Sequence, residues 1–265
     1  MKLIHYISAI LLCLCILSGC VTTSNSSLSK KADPVAAVDR YVQLGLEYIK
    51  RDDLSRARKH ITRALEINAD DAPANAAFGL ISHQDGEYEA AENSFLKALE
   101  TDENYTRGRT YYAAFLFSQL RYKEALAQFE IAAKDAGYVG RAQIFTNIAL
   151  CNMKLSNYDA ALKAYEKTLR LDRSNGRAIS GITELLIQQN DFQRAQQYYN
   201  RLVRLIRQQG LQHSAQSLWL GIRIADYFQS EAQVASLVML LENQYSDSNE
   251  YAQYLKREQA RNTDD

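Results

Sequence analysis

The sequence predicts an all-α protein, a solenoid of about six helix–turn–helix units. Three observations predict it. Turn residues are scarce, with 2 Pro and 11 Gly in 265 residues, against usual shares of about 5% and 7%. That is too few for a β-sandwich or an α/β enzyme. Hydrophobic residues make up 47%, which excludes a disordered chain. Finally, Ala57, Ala91, Ala125, Ala161 and Ala195 are separated by 34, 34, 36 and 34 residues, and a fixed period of that size marks a stacked array.

The first element is an address. Lys2 supplies a short positive start, and Tyr6 to Leu17 is an apolar run with only Ser8 mildly polar. A membrane-spanning helix needs about 20 apolar residues, so this run reads as a signal peptide over residues 1–19. It ends in Leu17-Ser18-Gly19-Cys20, which resembles the bacterial lipobox. The resemblance implies that Cys20 becomes the lipidated N-terminus. Val21 rather than Asp follows it, which implies export to the outer membrane. Cys13 and Cys15 leave with the signal, so Cys151 remains without an intramolecular disulfide partner. Residues 20–33 form a flexible tether, rich in Ser, Thr and Asn, that cannot bury enough apolar area to fold. Asp33-Pro34 then predicts a helix start, with Asp33 as N-cap and Pro34 at the first helical position.

The repeats fill residues 34–265. Four residues after each recurring alanine stand Ile61, Phe95, Phe129, Tyr165 and Tyr199, and three before stand Leu54, Tyr88, Tyr122, Tyr158 and Phe192. Twelve before stand Gly45, Gly79, Ala113, Ala149 and Thr183. This pattern resembles the tetratricopeptide repeat, a 34-residue helical hairpin. The resemblance implies a right-handed superhelix in which small residues at positions 8 and 20 let two helices approach and a large residue at 24 fills the gap. The 17 tyrosines largely serve such slots. Units are expected near 38–71, 72–105, 106–139, 142–175, 176–209 and 214–247. The third and fourth are separated by two extra residues around Gly137-Tyr138-Val139-Gly140. The sixth is a degenerate cap, with Trp219-Leu220-Gly221 on its first helix and Gln233 where alanine is expected. The family's proline at position 32 is absent, so Asn, Asp and Gly are expected to end those helices. Tyr251 onward reads as a solvated terminal segment.

Residues of catalysis are missing. His60, His83 and His213 are scattered, and no His or Cys has metal-ligand spacing. Cys151, at repeat position 10, reads as a buried small hydrophobe. No G-x-S-x-G, phosphate-binding glycine loop or paired carboxylates appear. We therefore expect no enzyme, no cofactor, no metal and no small-molecule substrate. With 31 basic and 31 acidic residues, no global charge excess drives binding to nucleic acid.

A binding groove is the remaining candidate. In the repeat family, positions 2, 5, 6, 9, 12 and 13 of each first helix line the concave face. Chaperone-binding members carry Lys at position 5, where this chain has Val42, Ala76, Thr110, Thr146 and Ser180, so the carboxylate clamp is missing. The candidate groove residues are Val42, Leu46, Ala76, Leu80, Thr110, Tyr111, Phe117, Leu150 and Met153, a surface suited to an apolar peptide or amphipathic helix.

Lipobox, tether and about six repeats together resemble the PilF/PilW family of type IV pilus biogenesis and stability lipoproteins. Tyr41-Val42-Gln43-Leu44-Gly45-Leu46-Glu47-Tyr48 and Ala57-Arg58-Lys59-His60-Ile61 add to the likeness. The resemblance implies an outer-membrane pilotin that binds secretin subunits and promotes their localisation and multimerisation. The alternative is a repeat lipoprotein that organises peptidoglycan hydrolases or synthases.

Overall fold

The computed structural model describes residues 33–264. The expected signal peptide of residues 1–19, Cys20 and the expected tether up to residue 32 lie outside the described residues. Among the described residues there are thirteen α-helices and no strand. They pair as α1 (Pro34–Lys50) with α2 (Leu54–Ile67), α3 (Ala72–Gln84) with α4 (Tyr88–Thr101), and α5 (Thr106–Ser118) with α6 (Tyr122–Ala132). The series continues as α7 (Arg141–Lys154) with α8 (Tyr158–Leu171), α9 (Gly176–Gln188) with α10 (Phe192–Gln208), and α11 (Ala215–Tyr227) with α12 (Glu231–Tyr245). A last helix, α13, covers Asn249–Asp264. Each hairpin packs on the next, which is the architecture of a tetratricopeptide solenoid.

Local chemistry sets the helix ends. Asp33 caps α1 by accepting from the Val35 N–H at 3.0 Å, with Pro34 in the first helical position. Asp53, Asp71, Asn175, Asp191 and Ser214 cap later helices in the same way. Inside the first five hairpins the turn residue is left-handed: Asp52, Gly86, Leu120, Ser156 and Asn190 have φ between 58° and 80°. The following N–H reaches back to a carbonyl five residues earlier, as Asp53 does to Tyr48 and Arg121 to Leu116. One residue before the position where the family uses proline, Asn68, Asp102 and Asp172 end the second helices. Each accepts with its side chain from the N–H two residues on, at 2.9–3.1 Å, an Asx turn that stops the helix without proline.

The repeat alanines lie at the centre of each hairpin's packing. Ala57, Ala91, Ala125, Ala161 and Ala195 have no exposed surface. Gly79 packs against the ring of Phe95, and a Cβ there would sit 2.8 Å from two ring carbons. Further along, the large residue is a tyrosine that reaches into the next unit. Tyr165 lies against Gly181, and Tyr199 lies against Gly221.

Two expectations about the C-terminus change. The left-handed residue of the sixth hairpin is Gln229, one residue later than a unit starting at Ser214 requires. Ser214 is the N-cap of α11, and the alanine slot falls on Val234 rather than on Gln233. Gly221 is present because the Tyr199 hydroxyl fills the space beside it, which shifts the small residue out of phase. Nor is Tyr251 onward a solvated tail. It forms α13, held to α11 by Arg257 and Arg261, which both pair with Asp226. Tyr251 and Tyr254 pack beside the apolar cluster of Leu218, Ile222 and Leu241. Burial of that cluster, invisible in a polar sequence stretch, orders the helix.

Candidate concave binding surface

The first helices α1, α3, α5, α7 and α9 carry the predicted groove positions. Val42 and Ala76 do not present surface, being 5% and 0% exposed. Val42 packs in one apolar cluster with Ile61, Ala74, Ala77 and Ile81, because position 5 faces the neighbouring first helix. These two expected contacts are therefore core residues. Thr110 is half-buried, and its hydroxyl donates to the Thr106 carbonyl at 2.8 Å within its own helix.

The other six candidates are half-buried. Leu46 rests on the first apolar cluster, whereas Leu80, Tyr111, Phe117, Leu150 and Met153 rest on the main one. Their inner atoms are held by the core, so the surface they offer is preorganised. Phe117 and Leu150 come together. With Ala114, Asn147 and the Phe129 ring they line a notch of about 80 Å³ between α5, α6 and α7. Phe117 is braced edge-on by Tyr122, with ring centres 5.1 Å apart. Ala114 and Asn147 sit at predicted groove positions, but Phe129 was expected only as packing. Its repeat position shows no sign that one ring edge reaches the concave side.

Three titratable groups near this surface are held neutral by burial. Burial pushes the Tyr105 hydroxyl up to about 12 and also raises that of Tyr111. Burial lowers His83, so its imidazole is neutral at physiological pH. Ser118 donates to the Phe115 carbonyl at 2.7 Å, which leaves the His83 Nε2–H to donate to Ser118 Oγ at 3.0 Å. That bond ties α3 to α5. The Asn147 carbonyl oxygen accepts from Gln143 at 2.9 Å, and its amide nitrogen meets no protein acceptor among the described residues.

Among the described residues, no group of three or more His, Cys, Asp or Glu could hold a metal ion. The Cys151 thiol is buried and pushed up to about 12 by that burial, which makes it a poor nucleophile. Among the described residues, no helix is long and apolar enough to cross a membrane.

Comparison with known proteins agrees with this architecture. Tetratricopeptide-repeat family models match residues 42–106 and 142–175. A Haemophilus influenzae protein is 27% identical over 157 residues, covering 59% of this chain and 86% of its own. The solved structure of PilW, described as a widely conserved type IV pilus biogenesis factor, superposes with a TM-score of 0.71 over 82% of this chain and 98% of its own. At 20% identity it speaks for the fold alone. The solved Pseudomonas aeruginosa PilF superposes with a TM-score of 0.78 at 32% identity, over 84% of this chain and 99% of its own. The type IV pilus assembly protein PilF of that organism is 32% identical over 239 residues, which span 90% of this chain and 93% of its own length. With repeats, fold and full-length identity in agreement, the chain belongs to the PilF family of tetratricopeptide-repeat proteins of type IV pilus biogenesis.

Proposed function

We propose that the protein is a pilotin: a lipoprotein, anchored to the outer membrane through Cys20, that binds secretin subunits and promotes their localisation and multimerisation. The work is binding, not catalysis. The observation that carries this reading is the 32% identity with PilF over 90% of the chain. The notch formed by Phe117 and Leu150 adds a preformed apolar socket for one side chain of a secretin segment. The lipobox sequence supports the anchor. One acyl chain holds a protein only marginally, whereas several on one cysteine hold it firmly.

The test is the heat- and detergent-resistant secretin multimer in outer-membrane fractions. Ala114 is exposed at the mouth of the notch, so Ala114→Phe fills the socket without disturbing the core. We expect normal protein levels and depleted multimers. Normal multimers with that variant would remove the notch from the reading, and normal multimers in a deletion strain would overturn the pilotin role. Cys20→Ala should leave the protein out of the outer-membrane fraction, and unchanged fractionation would overturn the anchor.

A further inference from the structure

A second surface lies on the opposite side of the fourth hairpin. The end of α6, one face of α7 and one face of α8 enclose an open cleft of about 510 Å³, within the usual range of about 300–1,000 Å³ for ligand sites. Four cations line it, Lys134, Arg141, Lys163 and Lys167, against one carboxylate, Glu130. Two of the cations sit over a single aromatic ring. The Lys167 ammonium is 4.4 Å and the Arg141 guanidinium 5.6 Å from the centre of Phe145.

This charge is unbalanced locally in a chain with equal numbers of acidic and basic residues. Some cations of the solenoid are matched by carboxylates, as Arg121 is by Glu92 and Glu124, and others stand singly on the surface; here four gather in one cleft. Among the described residues, none of the four cleft cations has a carboxylate within ion-pair distance. Arg141 is nonetheless fixed in place, because its Nε–H donates to the Ala133 carbonyl at 3.1 Å. Its terminal N–H groups remain for an incoming acceptor, and a guanidinium suits a carboxylate in two-point geometry.

The first hairpin supplies a contrast. Tyr41, Lys59 and Arg63 occupy the positions of Phe145, Lys163 and Lys167, and they too line an outer cleft. There Arg63 is paired with Glu66 at 2.7 Å, whereas the equivalent of Glu66 in the fourth hairpin is Arg170. In the first unit one of the two template cations is paired with a carboxylate, and in the fourth neither is.

We propose that the cleft between α6, α7 and α8 is a second docking surface, which takes an acidic segment of a partner protein. Cations on the walls of a groove suit a chain segment that enters it, with Asp and Glu at the rim and an aliphatic side chain on the Phe145 floor. A bilayer surface is planar and would favour cations on a protruding face.

The experiment titrates the intact protein into a rhodamine-labelled peptide of alternating glutamate and leucine and follows fluorescence anisotropy at low and high salt. We expect salt-sensitive binding. We expect Lys163→Glu with Lys167→Glu to weaken it by about tenfold or more. Both lysines are exposed, so helicity by circular dichroism should not change. Reversal of two exposed arginines of α10, Arg204→Glu with Arg207→Glu, should leave binding unchanged. The proposal is overturned if the wild-type protein does not bind at about 1 mM, or if the two double variants lose affinity alike. It is overturned in favour of a lipid surface if phosphatidylglycerol vesicles, and not the peptide, sediment the wild-type protein and fail to sediment the cleft variant.

Discussion

Gly79 and Phe95 form the contact on which hairpin packing in the second unit depends, and their coupling can be measured. In most helix interiors, glycine to alanine stabilises by about 1 kcal/mol. Here the added Cβ would lie 2.8 Å from two carbons of the Phe95 ring and 3.0 Å from a third. The ring cannot retreat. It is 1% exposed, with the rings of Phe115 and Tyr112 centred 5.6 and 6.0 Å away. Overpacking of that kind costs about 1–3 kcal/mol, so Gly79→Ala should destabilise by up to about 2 kcal/mol after the helical gain of about 1 kcal/mol. Phe95→Leu removes the clashing ring atoms and leaves a cavity, at a cost of about 1–2 kcal/mol. In that background Gly79→Ala should become stabilising by about 1 kcal/mol, a coupling of about 1–3 kcal/mol, equal to the overpacking that is relieved. Hydrogen exchange of the α3 and α4 amides is the assay, because opening in a solenoid is local. If Gly79→Ala stabilised both backgrounds, close approach would not be the reason for glycine at this position.

Two further outcomes follow from the same structure. Asp226→Asn removes the carboxylate that Arg257 and Arg261 share. It should weaken docking of α13 by about 1 kcal/mol, roughly fivefold in the population of the detached helix. Faster proteolysis in the Ser246–Ser248 connection is the readout, high salt should mimic it in the wild-type protein, and an unchanged rate would deny the clamp. Acid stability should depend on His83 and His213, both lowered by burial. A depressed folded-state pKa means that the unfolded chain binds protons first. Stability is then complete above the unfolded value of about 6.5 and is lost as pH falls from there through the folded value. His83→Gln should flatten the stability profile in that window, measured by thermal melts across pH, and an identical slope would show that His83 does not contribute.

The hairpins were legible because each has to satisfy the same close packing. Ala57 through Ala195 repeat at fixed spacing since a larger side chain at any of them would push two helices apart. Residues that answer to a neighbour rather than to the repeat were harder to read. Gly221 looked like the small residue of its own unit, yet it makes room for Tyr199 of the previous one, and that exchange put the sixth unit out of register by one. The last helix was illegible for a related reason. Its packing contacts are two half-buried tyrosines and its anchor is the pair of arginines on Asp226, in an otherwise polar stretch, a pattern that resembles a solvated tail until Asp226 and the Leu218 cluster are in place beside it.

The candidate sites divide along the same line. Periodicity identifies which residues face the concave side, but burial decides which of them a partner can touch. Val42 and Ala76 share a repeat position with Thr110, yet the first two are core and the third is half-buried. Phe129 shows the converse, a packing residue whose ring edge reaches a notch only because Ala114 beside it is small. On the outer face no packing rule fixes the residues at all. Glu66 and Arg170 occupy the same position in their hairpins, and Glu66 pairs with one cation of its cleft whereas Arg170 offers no carboxylate to the other. Repeat packing is indifferent to that exchange, so charge on the outer face can differ from hairpin to hairpin without disturbing the fold, and the proposed docking cleft would draw on that freedom.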